Sequence, residues 1–506
     1  MAASLLSLLA VLLYHVNAAY YQYETEPSYW HNLAFDELTA APKELPKGVA
    51  KNVIFFLGDG MGIPTVTAAR ILAGQMAGNS GEENKLSFDK FPYTGLSRTY
   101  NVDRQTTDSA ASGTAYLTGV KTNQGLLGLS GKAQRLNCSS AQDAHVDSIL
   151  RWSISAGKST GVLTTTRITH ATPGASYSHS ADRDWEGDRN IPAAQKHCED
   201  IALQLITRNN DINVIMGGGR AYFLPTGFND PDPDPTFNAA RYNRADGRNL
   251  VQEWEAIMTQ RNASYQYVYN KPGLDRVDPL TTDYLLGLFT QSHMSYELDR
   301  NPAKEPSLAE MTEKAIKILE KNSKGYFLFI EGGKIDHGHH ESRPAHALHE
   351  TVAFADAIDV ANRLTNKSET LIVVTADHSH VMSLAGYASR GNPILGLSDE
   401  DNHQPTKAND GKPYTTILYA DGPGFHSPRQ IVTGIDTADK AYISQSAVPL
   451  YSETHGGEDV GIYAQGPQSF LYSGVHEQNY IPIVMAYASC VGPFAEGLKQ
   501  CAKYEK

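Results

Sequence analysis

Four cysteines in 506 residues, none of them in a CxxC pair, do not resemble a Cys-type zinc site. An even number still suits two disulfides in an oxidising compartment. Cys138, Cys198, Cys490 and Cys501 allow three pairings, and nearness along the chain favours Cys138–Cys198 and Cys490–Cys501. Long apolar runs are also missing. The stretch Leu5–Tyr14 within MAASLLSLLAVLLYHVNAA is too short to span a bilayer and is followed by small residues. Despite an n-region without Lys or Arg, it reads as a signal peptide over residues 1–19, with cleavage expected near Ala18 or Ala19. Basic residues are the third shortage. Lys+Arg 43 against Asp+Glu 56 gives a net charge of −13, which argues against a nucleic-acid partner and is open to partial offset by bound cations.

The chain is long enough for one large domain or two ordinary ones. NVIFFL (52–57), GVLTTT (161–166), INVIM (212–216), YFLFI (326–330) and TLIVVTA (370–376) read as strands. Helical patterns lie near Pro64–Ala77, Ala141–Ser155, Ala193–Thr207, Ser307–Lys321 and Ala345–Leu364. Near-continuous apolar strands alternating with helices imply an α/β fold, a three-layer sandwich whose large, mostly parallel central sheet is covered on both faces. Residues Phe223–Asn249 read as an irregular excursion. The Gly-, Pro- and Asp-rich stretch from Ala388 to about Gly434, with β-like YTTILYA (414–420), reads as an inserted subdomain. Asn137-Cys-Ser, Asn262-Ala-Ser and Asn366-Lys-Ser are glycosylation sequons if the chain is secreted.

The chemistry concentrates behind the strands. EGGKIDHGHHESR (331–343) places Glu331, Asp336, His337 and His340 on a loop after YFLFI. Asp59 follows NVIFFLG, and Asp377 and His378 follow TLIVVTA. Carboxylate and imidazole are the usual non-thiolate ligands of divalent metals, and strand C-termini are the ligand edge of open α/β sheets. Each group alone is equally well a turn or cap residue; three at one edge point to a shared metal centre. His455, in SETHGGEDV before strand-like VGIYAQG, would add a ligand. TTDSAASGTAYLTG (106–119) sets Ser109 at or near a helix N-terminus, where free N–H groups and the helix dipole favour phosphate and an adjacent metal would activate the hydroxyl. Arg183 in SHSADRDW is the candidate grip for phosphate oxygens, and His170 and Thr172 of THATP follow GVLTTTR on the same side.

Several motifs fail. GDGMG lacks the third glycine of a dinucleotide loop, because Ile63 stands there, and AGKST lacks the first glycine of a P-loop, because Trp152 does. GKSTG has the letters of a GxSxG elbow in the wrong strand and helix order. His340-Glu341 has no second histidine at zincin spacing, and neither CxPxR nor SxPxR, the sulfatase motif, occurs.

NVIFFLGDGMG, TTDSAASGTAYLTG, EGGKIDHGHHESR, TADHSH and ETHGGEDV occur in that order, and with them the chain resembles the animal alkaline phosphatases from about Asn52 to Cys501. That resemblance implies hydrolysis of phosphate monoesters through a phosphoserine at Ser109, with two zinc ions and one magnesium. One zinc would be held by Asp336, His340 and His455, the other by Asp59, Asp377 and His378, and magnesium by Asp59, Thr172 and Glu331. Arg183 would grip phosphate, with His170, His337 and His380 behind the ligands. A calcium site is implied at Asp232, the Phe289 carbonyl and Glu305, but Thr290 stands where an acidic ligand is expected, so the site would be weak or lost. The resemblance also implies an extracellular, secreted or cell-surface homodimer with an N-terminal arm over residues 20–45. Tyr20–Leu38 would cross to the partner, Tyr387 would approach the partner's site, and a crown-like insertion would reach about residue 450. The sequence ends at CAKYEK, so a membrane anchor is expected only through a glycolipid signal lying beyond it. A phosphodiesterase on the same scaffold and a non-catalytic extracellular metal- or phosphate-binding protein are the alternatives.

Overall fold

The computed structural model describes residues 44–400, 404–496 and 501; the expected signal peptide and the Tyr20–Leu38 arm lie outside them. Ten strands form the central sheet: β1 (Asn52–Gly58), β2 (Tyr93–Arg98), β3 (Ser159–Arg167), β4 (Val214–Gly218), β5 (Tyr265–Val268), β6 (Tyr284–Leu288), β7 (Tyr326–Gly332), β8 (Thr370–Ala376), β14 (Val460–Gln465) and β15 (Gly474–Glu477). Their order is β15-β2-β14-β8-β1-β7-β3-β4-β6-β5. Only β14 runs against the rest, pairing antiparallel with both β2 and β8. The expectation of a large, mostly parallel sheet is met.

Alternation along the strands explains the layers. In β1, Ile54 and Phe56 join one apolar core with Leu328, Ile330, Ile372 and Val374, whereas Val53, Phe55 and Leu57 join a second with Phe327, Phe329, Leu371 and Val373. The first core is closed by helices α1 (Ile63–Met76), α8 (Leu308–Leu319) and α10 (Pro344–Leu364). The second is closed by α2 (Ser109–Thr118), α3 (Ile149–Ser155), α5 (Ile201–Arg208), α6 (Leu250–Gln260) and α11 (Tyr480–Ser489). Two short helices, α4 (Ala171–Gly174) and α7 (Lys271–Asp275), and α9 (Lys334–His340) complete the set among the described residues. A strand buried on both faces must be apolar throughout, which is why these segments read as unbroken hydrophobic runs.

Two helices start later than their apolar pattern suggests. Ser148 and Asp200 cap α3 and α5 through bonds to Arg151 N and Leu203 N, so the segments before them turn as short 3-10 pieces. A satellite core of Leu126, Leu129, Ala181, Trp185 and neighbours is closed by the Cys138–Cys198 disulfide. Cys490–Cys501 is the second bridge, so both pairings expected from sequence are present. Strands β10 (Met382–Leu384), β11 (Ile417–Gly422) and β12 (Ser446–Pro449) make a separate three-stranded sheet, which begins upstream of the expected insertion at Ala388. Strands β9 (Ser379–His380) and β13 (His455–Gly456) pair with one another. No helix among the described residues is long and apolar enough to cross a membrane.

Candidate metal centre

The C-terminal ends of β8, β1, β7 and β3 lie side by side, and each delivers polar groups to one place. Asp59 follows β1, and Asp377 and His378 follow β8. β7 carries Glu331 within the strand rather than past it. The expected loop after β7 is instead helix α9, whose single turn of spacing brings Asp336 and His340 onto one face. β3 leads to His170 and Thr172, the latter in α4. His455 lies opposite His380 in the β9–β13 pair.

Three groups result, each with ligand atoms mutually within 4.8 Å: Asp336, His340, His380 and His455; Asp59, Asp377 and His378; and Asp59, His170 and Glu331. In the first, Asp336 Oδ1 is 3.3 Å from both His340 Nε2 and His455 Nε2, which are 3.1 Å from one another. Nitrogen and oxygen ligands about 2.0–2.1 Å from a tetrahedral ion stand roughly 3.3 Å apart, so this triangle has the size of one face of a zinc tetrahedron, with a fourth position open. His340 Nδ1 lies 2.6 Å from the Glu453 carbonyl and His455 Nδ1 2.9 Å from the Thr107 carbonyl. As donors there, the rings turn two Nε2 lone pairs on one another, an arrangement a shared cation relieves. His380 differs: Nε2 meets Asp336 at 2.8 Å and Nδ1 meets Glu453 at 2.5 Å. Burial opposes its charge, but Glu453 and Asp336 outweigh burial and lift its pKa to about 10. It braces Asp336 through these two hydrogen bonds.

In the second group His378 Nε2 is 3.1 Å from Asp377 Oδ2, 3.5 Å from Asp59 Oδ1 and 3.4 Å from Ser109 Oγ. Ser109 is the first residue of α2, with Asp108 as its cap through a 3.2 Å bond from Ala111 N. Asp108 also accepts from Gly125 N and, at 3.1 Å, from Arg183 Nη1, so one carboxylate ties the helix start to the guanidinium. Arg183 Nη2 is 3.4 Å from His170 Nε2.

In the third group the Thr164 hydroxyl and, at 3.1 Å, Thr166 Oγ1 donate to Glu331 Oε2. Asp59 Oδ1, Glu331 Oε1 and His170 Nδ1 are buried without a hydrogen-bond partner among the described residues. Burial, then Asp377, Asp336 and Glu331, push the Asp59 carboxyl well above its usual range, and burial lifts Glu331 to about 7 against the threonine hydroxyls. Asp336 is held low despite burial by His340, His380 and His455, and Asp377 by His378. Buried carboxylates this close, with partnerless oxygens, are a set that divalent cations fit.

All the expected ligands except those of calcium thus converge with Ser109 and Arg183. Asp232 and Glu305 join no such group among the described residues. The Asp232 carbonyl accepts from Arg220, Glu305 accepts from Ser295 N, and Thr290 Oγ1 donates to the Ser292 carbonyl. His337 lies behind the third group, its ring 5.8 Å from that of His170 and its Nδ1 3.2 Å from Lys334 Nζ. Asp108 and Glu453 were given no role by sequence reasoning; their only signal was adjacency, to Ser109 and within SETH.

A parallel α/β sheet with a nucleophile candidate and three cation-sized polar clusters at its ligand edge defines a metal-dependent hydrolase. Residues 50–491 match the alkaline phosphatase family model, and the chain belongs to that family. It is 51% identical over 486 residues to the tissue-nonspecific alkaline phosphatase of Rattus norvegicus, covering 95% of this chain and 91% of the relative. It is 49% identical over 487 residues to the alkaline phosphatase of Gadus morhua, covering 94% and 99%. Among solved structures, the Thermus thermophilus alkaline phosphatase superposes with a TM-score of 0.62 at 22% identity, covering 88% and 92%, a likeness of fold. The protein is an alkaline phosphatase, a metal-dependent hydrolase of phosphate monoesters.

Proposed function

We propose that hydrolysis proceeds through a phosphoserine at Ser109. Asp336, His340 and His455 would hold one zinc, Asp59, Asp377 and His378 the other, and Asp59, Thr172 and Glu331 magnesium. When bound, these cations supply Lewis-acid stabilisation of the attacking and departing oxygens. The reading is carried by Ser109 Oγ, 3.4 Å from His378 Nε2 at the open end of α2, where backbone N–H groups and the helix dipole favour a phosphoryl group. Ser109 Oγ forms the bond to phosphorus as the alcohol oxygen leaves, and water then cleaves the Ser109–phosphorus bond. Arg183, aimed by Asp108, takes two non-bridging oxygens. The proposal stops short of calcium, because the Thr290 hydroxyl is already given to the Ser292 carbonyl.

Two disulfides support an extracellular location. A homodimer is part of the same reading, supported by Tyr387 at 83% exposed and a fully exposed Tyr451; light scattering of purified protein tests it. The decisive experiment is acid quenching during turnover of a radiolabelled monoester. Label should remain on the native chain and vanish in Ser109→Ala. Label retained by Ser109→Ala overturns the nucleophile, and a metal content other than two zinc and one magnesium per chain overturns the ligand sets.

A further inference from the structure

Tyr116 stands two turns into α2 from Ser109, on a fully buried ring. Its ring packs edge-on against Phe55 at 5.5 Å and lies 6.4 Å from Phe329, so the aromatic part belongs to the core between α2 and the sheet. Its hydroxyl does not: it is buried, makes no close hydrogen bond among the described residues, and reaches only the Thr172 side chain. A buried phenol with so weak a partner is a penalty that phenylalanine would avoid, so the oxygen asks for an explanation. It faces the third group. A methyl placed on Gly113, one turn earlier, would stand 2.9 Å from Ala175 Cβ, 3.5 Å from the Tyr116 hydroxyl and 3.8 Å from Thr172 Cα, so glycine there lets α2 approach α4 where Tyr116 and Thr172 meet. Burial raises the phenol far above its usual range, and Asp377, Asp59 and Glu331 push it the same way against a weak hydrogen bond with Thr172, which keeps it a neutral donor and acceptor. Thr172 in turn reaches both Tyr116 and Glu331 with its side chain, and its Oγ1 makes a long contact, 3.5 Å to Asp59 Oδ2, beyond the usual O–H···O range of about 2.5–3.0 Å.

Resting on the cation reading of the third group, we propose that Tyr116 is a positioning residue for it: the weak bond between its hydroxyl and Thr172 tightens once magnesium is held there, fixing that ligand and linking magnesium occupancy to the helix that begins with Ser109. Outer partners of metal ligands act in this way, and their loss commonly weakens metal affinity about 10–100-fold.

Tyr116→Phe keeps the ring and removes only the oxygen. In zinc-loaded enzyme, magnesium titration followed by bound metal per chain should show at least a tenfold weaker affinity, with zinc content unchanged. The magnesium-free variant should unfold at the same temperature as the native chain or above it. A merely structural tyrosine would instead lower that temperature and leave magnesium affinity alone. Thr172→Val and the double variant test the link: the two effects on magnesium affinity should overlap, and full additivity would sever the link to Thr172. Should Tyr116→Phe fold poorly, the NMR signal of a labelled Tyr116 ring in the native chain decides, since no shift on adding magnesium overturns the inference. Magnesium affinity within twofold of native overturns the inference by itself. A native chain that takes up no magnesium at this group overturns the cation reading and the inference together.

Discussion

Gly60→Ala tests the geometry of the centre through the backbone. Gly60 has φ +67 and its N–H donates to Asp377 Oδ1 at 2.9 Å. Alanine in this left-handed region costs about 1–2 kcal/mol. Here its methyl would also stand 2.4 Å from His380 Nε2 and Cδ2, where carbon contacts begin to be favourable only at about 3.5 Å. The ring cannot give way cheaply, because it is buried and held by Asp336 at 2.8 Å and Glu453 at 2.5 Å. Losing one of these charged hydrogen bonds costs about 1.5–3 kcal/mol, for a total of about 2.5–5 kcal/mol. Gly247→Ala is the control: φ is +77 and nothing lies within 4 Å of its would-be methyl, so only the backbone part, about 1–2 kcal/mol, applies. Urea unfolding of both variants, with bound zinc counted after gel filtration, separates the two parts. Equal midpoint shifts with full zinc in Gly60→Ala would refute the claim that His380 is a rigid brace.

Arg183→Ala should weaken inhibition by inorganic phosphate by about 10–100-fold, the value of one lost bidentate charged contact, while zinc per chain stays native; competitive inhibition assays and metal analysis read both. His179 and His145 stack at 4.2 Å, and burial first, then His145, depresses His179 to about 4. The unfolded chain then takes up a proton near pH 6.5 that the folded chain refuses. Stability is therefore fully present above about 6.5 and lost towards pH 4, by up to about 3 kcal/mol. Urea midpoints at pH 7 and 4.5 should draw apart less in His179→Asn than in the native chain.

The parallel sheet was legible because burial on both faces forces unbroken apolar runs, as in NVIFFLG and TLIVVTA. β5, β2 and β15 were not, since short or edge strands such as YQYV and GVHE carry no such run; β6 was missed although YLLGL is buried. α9 read as a loop because His337, Gly338, His339 and His340 have weak helix preference, and tertiary packing onto α10 overrides it. At the centre, residue type announced the groups that can hold cations because carboxylates and imidazoles follow three neighbouring strands at one edge of the sheet. The residues that aim them were silent. Glu453 takes His380 with its carboxylate and His340 with its carbonyl, and Asp108 spends one side chain on a helix cap and on Arg183. Neither type nor spacing distinguishes such residues from an ordinary turn acid; only the fold, by bringing residues more than seventy positions apart into contact, assigns them work. The same dependence explains why the buried negative charge is tolerable: Asp59, Glu331, Asp336 and Asp377 approach one another only after the sheet has formed, so the electrostatic demand for cations is created by folding and should peak in the native state.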